Sequence, residues 1–183
     1  ATYEDLAALK PSYQAANIAL AICLAEDFLG HPLDAEKAFF STTRCPTPGR
    51  FQLLQPKPLV LIDAAHNPQS IETFLTAIRS IEPEVANRPM LLTAVFADKD
   101  VTGIAELLAK EFPEVVVTQT DNNRAMDAEE LAEVYKACGA HVVAVYKSVP
   151  EAVDALREKG FVACGTISLA GEVAAQFSNA LVK

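Results

Sequence analysis

Basic residues are scarce in this chain: 15 Lys and Arg stand against 24 Asp and Glu in 183 residues, a formal net charge of −9. That deficit argues against a nucleic-acid surface, because a phosphate backbone demands clustered cations. A few local cations at a loop edge still suffice for a small anionic ligand. Cysteine is sparse too. Cys23, Cys45, Cys138 and Cys164 form no Cys-x-x-Cys pair and no metal-type spacing. No metal site is therefore expected, and the four read as reduced thiols of a cytoplasmic protein, two of them buried as small apolar residues. Residues 15–24 are apolar but too few to span a bilayer, and Glu26 and Asp27 follow them; no membrane association is expected. No basic segment with a cleavage site marks a signal peptide. The sequence also contains no Gly-x-x-x-x-Gly-Lys-[Ser/Thr] phosphate loop, so a nucleotide's phosphates would have to be held chiefly by something else.

Hydrophobic residues make up 51% and charged residues 21% of the chain, an ordinary globular composition of a length suited to one domain, or one domain and part of another. Two regimes are visible. From Ser12 to about Phe40 the pattern is helical: Ile18, Ile22, Ala25 and Leu29 share a face, Gly30 stops a first helix and Asp34 can cap a second. The joint Cys45-Pro46-Thr47-Pro48-Gly49 then blocks helix propagation. This predicts a helical segment over 1–43 and a second domain over 44–183. Beyond the joint, short β-branched runs at 51–54, 59–62, 90–96, 115–118, 142–145 and 161–164 alternate with helical patterns at 68–81, 101–110, 127–137, 149–159 and from 168 onward. Strand–helix alternation predicts an α/β, Rossmann-like domain with a mostly parallel six-stranded sheet covered on both faces. Only Gln55-Pro56-Lys57-Pro58 separates the first two runs, which suits a hairpin and an antiparallel edge strand.

In an open parallel sheet all strand carboxyl ends lie on one edge, and ligands bind there. The loops that return from helix to strand carry Pro, Gly and surface charge, as in Phe112-Pro113-Glu114 and Cys138-Gly139-Ala140. The loops that leave strands are richer: Asp63-Ala64-Ala65-His66-Asn67-Pro68, Ala97-Asp98-Lys99-Asp100, Gln119-Thr120-Asp121-Asn122-Asn123-Arg124, Lys147-Ser148 and Gly165-Thr166-Ile167-Ser168. Caps explain part of this polarity: Asn67 with Pro68 at the first helical position, Asp127 with Glu130 as a capping box, and Ser148. Caps do not call for His66, Lys99 or Arg124.

Pro48-Gly49-Arg50 through Asp63-Ala64-Ala65-His66-Asn67-Pro68 resembles the joint and signature of the Mur ligase superfamily, in its folylpolyglutamate synthase/dihydrofolate synthase branch. Further pieces follow in that family's order. Phe96-Ala97-Asp98-Lys99-Asp100 resembles its A-D-K-D loop, Arg124-Ala125 with 127–131 its Arg-Ala loop and helix, and 165–173 its G-S-x-x-L-x-G-E-V close. Residues 13–21 resemble the H-Q-x-x-N-A-x-x-A helix that ends the family's central ATPase domain, with Tyr13 in place of His. The resemblance implies the carboxy-terminal domain of an ATP-dependent amide ligase, preceded by a helical remnant of its ATPase domain. Its partners would be ATP, L-glutamate, folate or dihydropteroate, and its own ATPase domain, which would hold most of the ATP and Mg²⁺. The chain alone is then expected to be inactive. Two other readings fit as well: another Mur-type amino-acid ligase, or a non-catalytic nucleotide-binding or interaction module.

Residue by residue, the resemblance implies nucleotide contacts from Arg50, Asp63 and His66, with His66 catalytic, and glutamate contacts from Lys99, Arg124, Thr166 and Ser168. The residues themselves admit plainer accounts. Arg50 can be a surface arginine after a turn, and Asp63 can brace its own turn through backbone bonds. Lys99 can be a solvated lysine between Asp98 and Asp100. Asp121-Asn122-Asn123-Arg124 resembles the D-N-P-R amino-acid loop of the peptidoglycan ligases, with Asn123 replacing Pro. Thr166 and Ser168 can simply cap the last helix.

Overall fold

A computed structural model describes residues 12–44 and 47–178. Cys45 and Pro46 of the expected joint lie outside the described residues. The chain divides into two compact units, Ala1–Pro48 and Gly49–Lys183. In the first, α1 spans Ser12–Leu29 and α2 spans Ala35–Arg44. Gly30, at φ +70°, ends α1 with its N–H on the Glu26 carbonyl, and the Asp34 carboxylate accepts the Lys37 N–H to start α2. Both helices leave large apolar side chains in solvent: Leu20, Leu24 and Phe28 on α1, Phe39 and Phe40 on α2. No described helix is long and apolar enough to cross a membrane.

The second unit is a three-layer α/β/α sandwich. Its strands are β1 (Gln52–Pro56), β2 (Leu59–Ile62), β3 (Met90–Thr93), β4 (Val115–Val117), β5 (Val142–Val145) and β6 (Phe161–Cys164). They lie in the order β1-β2-β6-β3-β4-β5, with β1 antiparallel to β2 and the remaining pairs parallel. The strands are short because pairing stops where the exit loops begin: β3 ends at Thr93, and Phe96 makes only an isolated bridge to Ala125.

Alternation along each strand builds two cores. Leu61, Leu91, Val115, Val117 and Val162 face α3 (Pro68–Ile81), α4 (Val101–Leu108) and α5 (Ala128–Ala137). Val60, Ile62, Leu92, Val116 and Ala163 face α6 (Val149–Leu156) and α7 (Ile167–Ser178). A central strand buried on both faces must be apolar at consecutive positions, which is why 115–117 read Val-Val-Val.

Capping differs in detail from the sequence reading. Asn67 forms a reciprocal capping box with Ser70 at the start of α3. Asp127 Oδ1 accepts the Glu129 and Glu130 N–H groups and Oδ2 accepts from Lys147, while the return bond of a capping box, from the Asp127 N–H to the Glu130 carboxylate, is not made. Of the cysteines, Cys164 is buried, Cys138 half-buried and Cys23 exposed, and Cys45 lies outside the described residues.

Candidate functional site

The strand-exit edge of the second unit gathers the expected residues through backbone ties. The Ala64 N–H donates to the Gly49 carbonyl at 2.7 Å, and the Phe51 N–H donates to Asp63 Oδ2 at 2.8 Å. Arg50 therefore sits beside the 63–66 turn. The Gly165 N–H donates to the Ala65 carbonyl, joining the exits of β2 and β6. The Ala97 N–H donates to the Arg124 carbonyl and the Met126 N–H to the Val95 carbonyl, joining the exits of β3 and β4. Gly165 has φ +127°, and a Cβ there would stand 2.5 Å from the Ala94 carbonyl oxygen. Only glycine lets β6 leave the sheet this close to β3.

Asp63 is only 3% exposed. Its Oδ1 accepts the Ala65 N–H at 2.7 Å while Oδ2 holds Phe51. Of the two accounts of Asp63, turn bracing is thus present in the structure. Phe51 is held at φ +47°, a left-handed conformation costly for an aromatic residue, with its ring against Phe74. The Asp63 bond and that ring contact keep it there. His66 is half-buried, with Nδ1 2.8 Å from the Ala64 carbonyl oxygen. A carbonyl only accepts, so Nδ1 carries the proton and Nε2 is left open.

The cations of this edge differ in how they are held. Asp98 takes the Arg124 guanidinium in a two-point pair, at 2.6 Å from Nη2 and 3.3 Å from Nε, and the guanidinium lies 4.7 Å over the Phe96 ring. The hydrogen bond from Arg124 holds the Asp98 carboxyl below its ordinary range. Asp100 caps α4 by accepting the Gly103 N–H. Both carboxylates flanking Lys99 are therefore engaged elsewhere, and the Lys99 and Arg50 side chains have no hydrogen-bond or ion-pair partner among the described residues. Thr166 is buried, and its hydroxyl accepts the Ser168 N–H at 2.9 Å, so it caps α7. Ser168 sits half-buried in that helix's first turn. Burial pushes the Cys164 thiol well above its usual range, with the Asp63 charge adding to the effect, so this cysteine beneath the site is inert. Among the described residues no group of three or more His, Cys, Asp or Glu could hold a metal ion.

Sequence reasoning missed Asp98 as the partner of Arg124 and Phe96 as its platform. No spacing rule links 98 to 124; the contact exists because β3 and β4 are neighbours. Gly165 carried a signal that went unread, a glycine directly after an apolar strand run.

A doubly wound α/β domain with free cations and an open imidazole nitrogen at its strand exits belongs to the class that meets anionic ligands on that edge. The family model of the Mur ligase glutamate ligase domain matches residues 49–164. The chain is 34% identical over 129 residues to the dihydrofolate synthase/folylpolyglutamate synthase of Mycobacterium tuberculosis, covering 68% of this chain and 26% of that protein. It is 30% identical over 107 residues to the folylpolyglutamate synthase of Lacticaseibacillus casei, covering 56% of this chain and 24% of that one. The M. tuberculosis folylpolyglutamate synthase complexed with ADP and AMPPCP superposes with a TM-score of 0.81 at 28% identity, over 91% of this chain and 40% of that chain. Escherichia coli FolC in complex with DHPP and ADP gives 0.67 at 25% identity, over 81% and 36%. The chain belongs to the Mur ligase family and is similar to the carboxy-terminal domain of its folylpolyglutamate synthase/dihydrofolate synthase branch. It spans about a quarter of the length of these two curated relatives.

Proposed function

We propose that this domain is the glutamate-adding part of an ATP-dependent ligase that joins L-glutamate to folate or dihydropteroate through an acyl phosphate, releasing ADP and phosphate. The observation that carries the reading is the pair of unengaged cations, Arg50 and Lys99, on the same sheet edge as the open Nε2 of His66. In a chain with nine more acidic than basic residues, two cations without partners on one sheet edge suit an anionic ligand there. The relatives solved with ADP and with AMPPCP support a nucleotide as that anion.

In this reading Arg50 offers its planar fork to the ATP phosphates, and His66, fixed through Nδ1, presents Nε2 to the nucleotide or the reacting groups. Asp63 first sets the turn that aims both; it reaches the ribose only through lone pairs its backbone donors leave over. Lys99 and Arg124 take the carboxylates of the incoming glutamate, with Thr166 and Ser168 at the start of α7 as further hydrogen-bonding groups. Mg²⁺ would be held by the phosphates and by the ATPase domain, since the described residues present no cluster for it. The exposed apolar faces of α1 and α2 suit burial against that ATPase domain, of which they would be the tail. Closing one domain on the other excludes water from the acyl phosphate.

The test is ATP-dependent incorporation of labelled L-glutamate by this chain joined to its ATPase domain, offered folate, dihydropteroate or a peptidoglycan precursor. Folate or dihydropteroate should be extended, the separate 183-residue chain should be inactive, and Arg50→Ala or His66→Ala should lower kcat about 10²–10³-fold without unfolding. Unchanged turnover in both variants would refute the site; glutamylation of the peptidoglycan precursor alone would move the protein to another branch of the family.

A further inference from the structure

Thr166 and Ser168 stand at the start of α7, whereas Arg124 stands on the loop that leaves β4, so the glutamate contacts proposed above come from two separate segments. One small amino acid can reach both only if their spacing is fixed. The first segment is rigid, because α7 is seated in the core through Leu169, Ala170, Val173 and Phe177. The second is a loop, exposed from Asp121 to Arg124.

Within itself that loop is closed. The Asn122 N–H donates to the Thr120 carbonyl, the Arg124 N–H to Asn122 Oδ1 and the Ala125 N–H to the Asn122 carbonyl, each at 2.9 Å. Residues 120–125 thus turn as one piece. Toward β3 the piece is anchored at its far end, where the Arg124 carbonyl accepts the Ala97 N–H and Ala125 bridges Phe96. Toward the helix layer of α6 and α7 it has one hydrogen bond among the described residues. The Glu172 carboxylate of α7 accepts the Asp121 N–H, with the nitrogen 3.1 Å from Oε1 and 3.4 Å from Oε2.

That carboxylate is held at a cost. Burial, with the Asp121 charge adding to it, raises the Glu172 carboxyl above the ordinary glutamate range against the lowering effect of the N–H. Among the described residues the tie to the loop is the one interaction that offsets this penalty. Asp98 also holds the Arg124 guanidinium, but a glutamate carboxylate bound by Arg124 would take the place of Asp98. The anchors of the loop backbone then have to keep the residue in position, and only the one at Glu172 refers it to α7.

We propose that Glu172 is a positioning residue for glutamate binding: by holding the Asp121 N–H it fixes Arg124 relative to the start of α7, and so sets the affinity for the incoming amino acid without touching it. The inference rests on the assignment of Arg124 to glutamate made above.

The experiment is steady-state kinetics of this chain joined to its ATPase domain, in Glu172→Ala, Glu172→Gln, Arg124→Ala and the double variant Glu172→Ala/Arg124→Ala. Glu172→Ala should raise KM for L-glutamate about three- to tenfold with kcat and KM for ATP unchanged, the mark of weakened binding alone. A general loosening of the fold would instead lower kcat and raise both KM values together. Glu172→Gln keeps an amide oxygen for the Asp121 N–H and should bring KM back to within about twofold of the wild type. The double variant should bind glutamate no worse than Arg124→Ala alone, because Glu172 acts through Arg124. Wild-type KM for glutamate in Glu172→Ala, no rescue by Glu172→Gln, or additive losses in the double variant would each overturn the proposal while leaving the proposed function standing. Wild-type KM for glutamate in Arg124→Ala, or no glutamate incorporation by the wild type, would overturn the reading on which the inference rests, and the inference with it.

Discussion

Asp63 offers the sharpest test of how the edge is built. Its two oxygens accept the Phe51 and Ala65 N–H groups at 2.8 and 2.7 Å in a site 3% exposed. A hydrogen bond to a charged group nets about 1.5–3 kcal/mol, and a donor left buried without a partner costs a comparable amount. Asp63→Ala removes both acceptors, so it should cost about 3–6 kcal/mol, a large part of the roughly 5–15 kcal/mol that stabilises a whole domain. Asp63→Asn keeps one acceptor oxygen and should cost about half as much. Urea unfolding followed by circular dichroism measures both, with free energies from linear extrapolation. Losing the Phe51 bond should also free that residue from its left-handed conformation and loosen the adjoining Arg50. A loss below about 0.5 kcal/mol in Asp63→Ala would refute the brace, being what an unimportant surface site shows. Wild-type stability in Asp63→Asn with abolished glutamylation would assign the carboxylate to substrate instead.

Two further outcomes follow from other parts of the second unit. Gly165→Ala places a Cβ 2.5 Å from the Ala94 carbonyl oxygen and 2.9 Å from Thr93 Oγ1 at φ +127°, and thermal unfolding should show a loss of about 3 kcal/mol or more. Gly171→Ala is the control: nothing lies within 4 Å of its Cβ position inside α7, and it should stabilise by about 0.5–1 kcal/mol. Glu111 is held below the ordinary glutamate value of 4.5 by hydrogen bonds from Arg79 and Arg88. Its folded pKa being the lower one, its contribution is fully present above pH 4.5 and is lost as pH falls through the folded value. Glu111→Gln should therefore destabilise at pH 7 and flatten the acid limb of a stability–pH curve; an unchanged acid limb would contradict the pairing.

The layers were legible in the sequence because burial on two faces leaves a plain trace: Val115–Val117 is an uninterrupted apolar run shortly after Pro113, and Phe161–Cys164 is another, between Gly160 and Gly165. Placement of the polar chemistry on one edge was legible for the same reason, since loops leaving strands differ in composition from loops returning to them. Strand ends were overestimated wherever an apolar residue past the ladder is buried by a loop, as Phe96 is under Arg124. What the sequence could not convey is which side chains spend their polarity on their own backbone. Asp63, Thr166 and Asp100 look as available as Lys99 on paper, yet each accepts an N–H that its fold places within 3.0 Å.

Burial decides which arginines of this protein can still be recruited. Arg88 has a side chain 2% exposed and donates to the Glu82, Pro83 and Glu111 carbonyls as well as to the Glu111 carboxylate. Removing the Glu111 carboxylate would leave this buried charge without its counter-ion, at a cost of about 3–5 kcal/mol. Arg88 is fixed to the fold. The Arg124–Asp98 pair is about half exposed on both sides, and such pairs are worth about 0–1 kcal/mol because water and salt replace either partner cheaply. The glutamate carboxylate proposed for Arg124 would exchange with Asp98 at almost no loss, while Phe96 keeps the guanidinium plane oriented for the same two-point geometry. Asp98 thus holds a guanidinium that would otherwise wander, in a pair loose enough to give way to the ligand of that proposal.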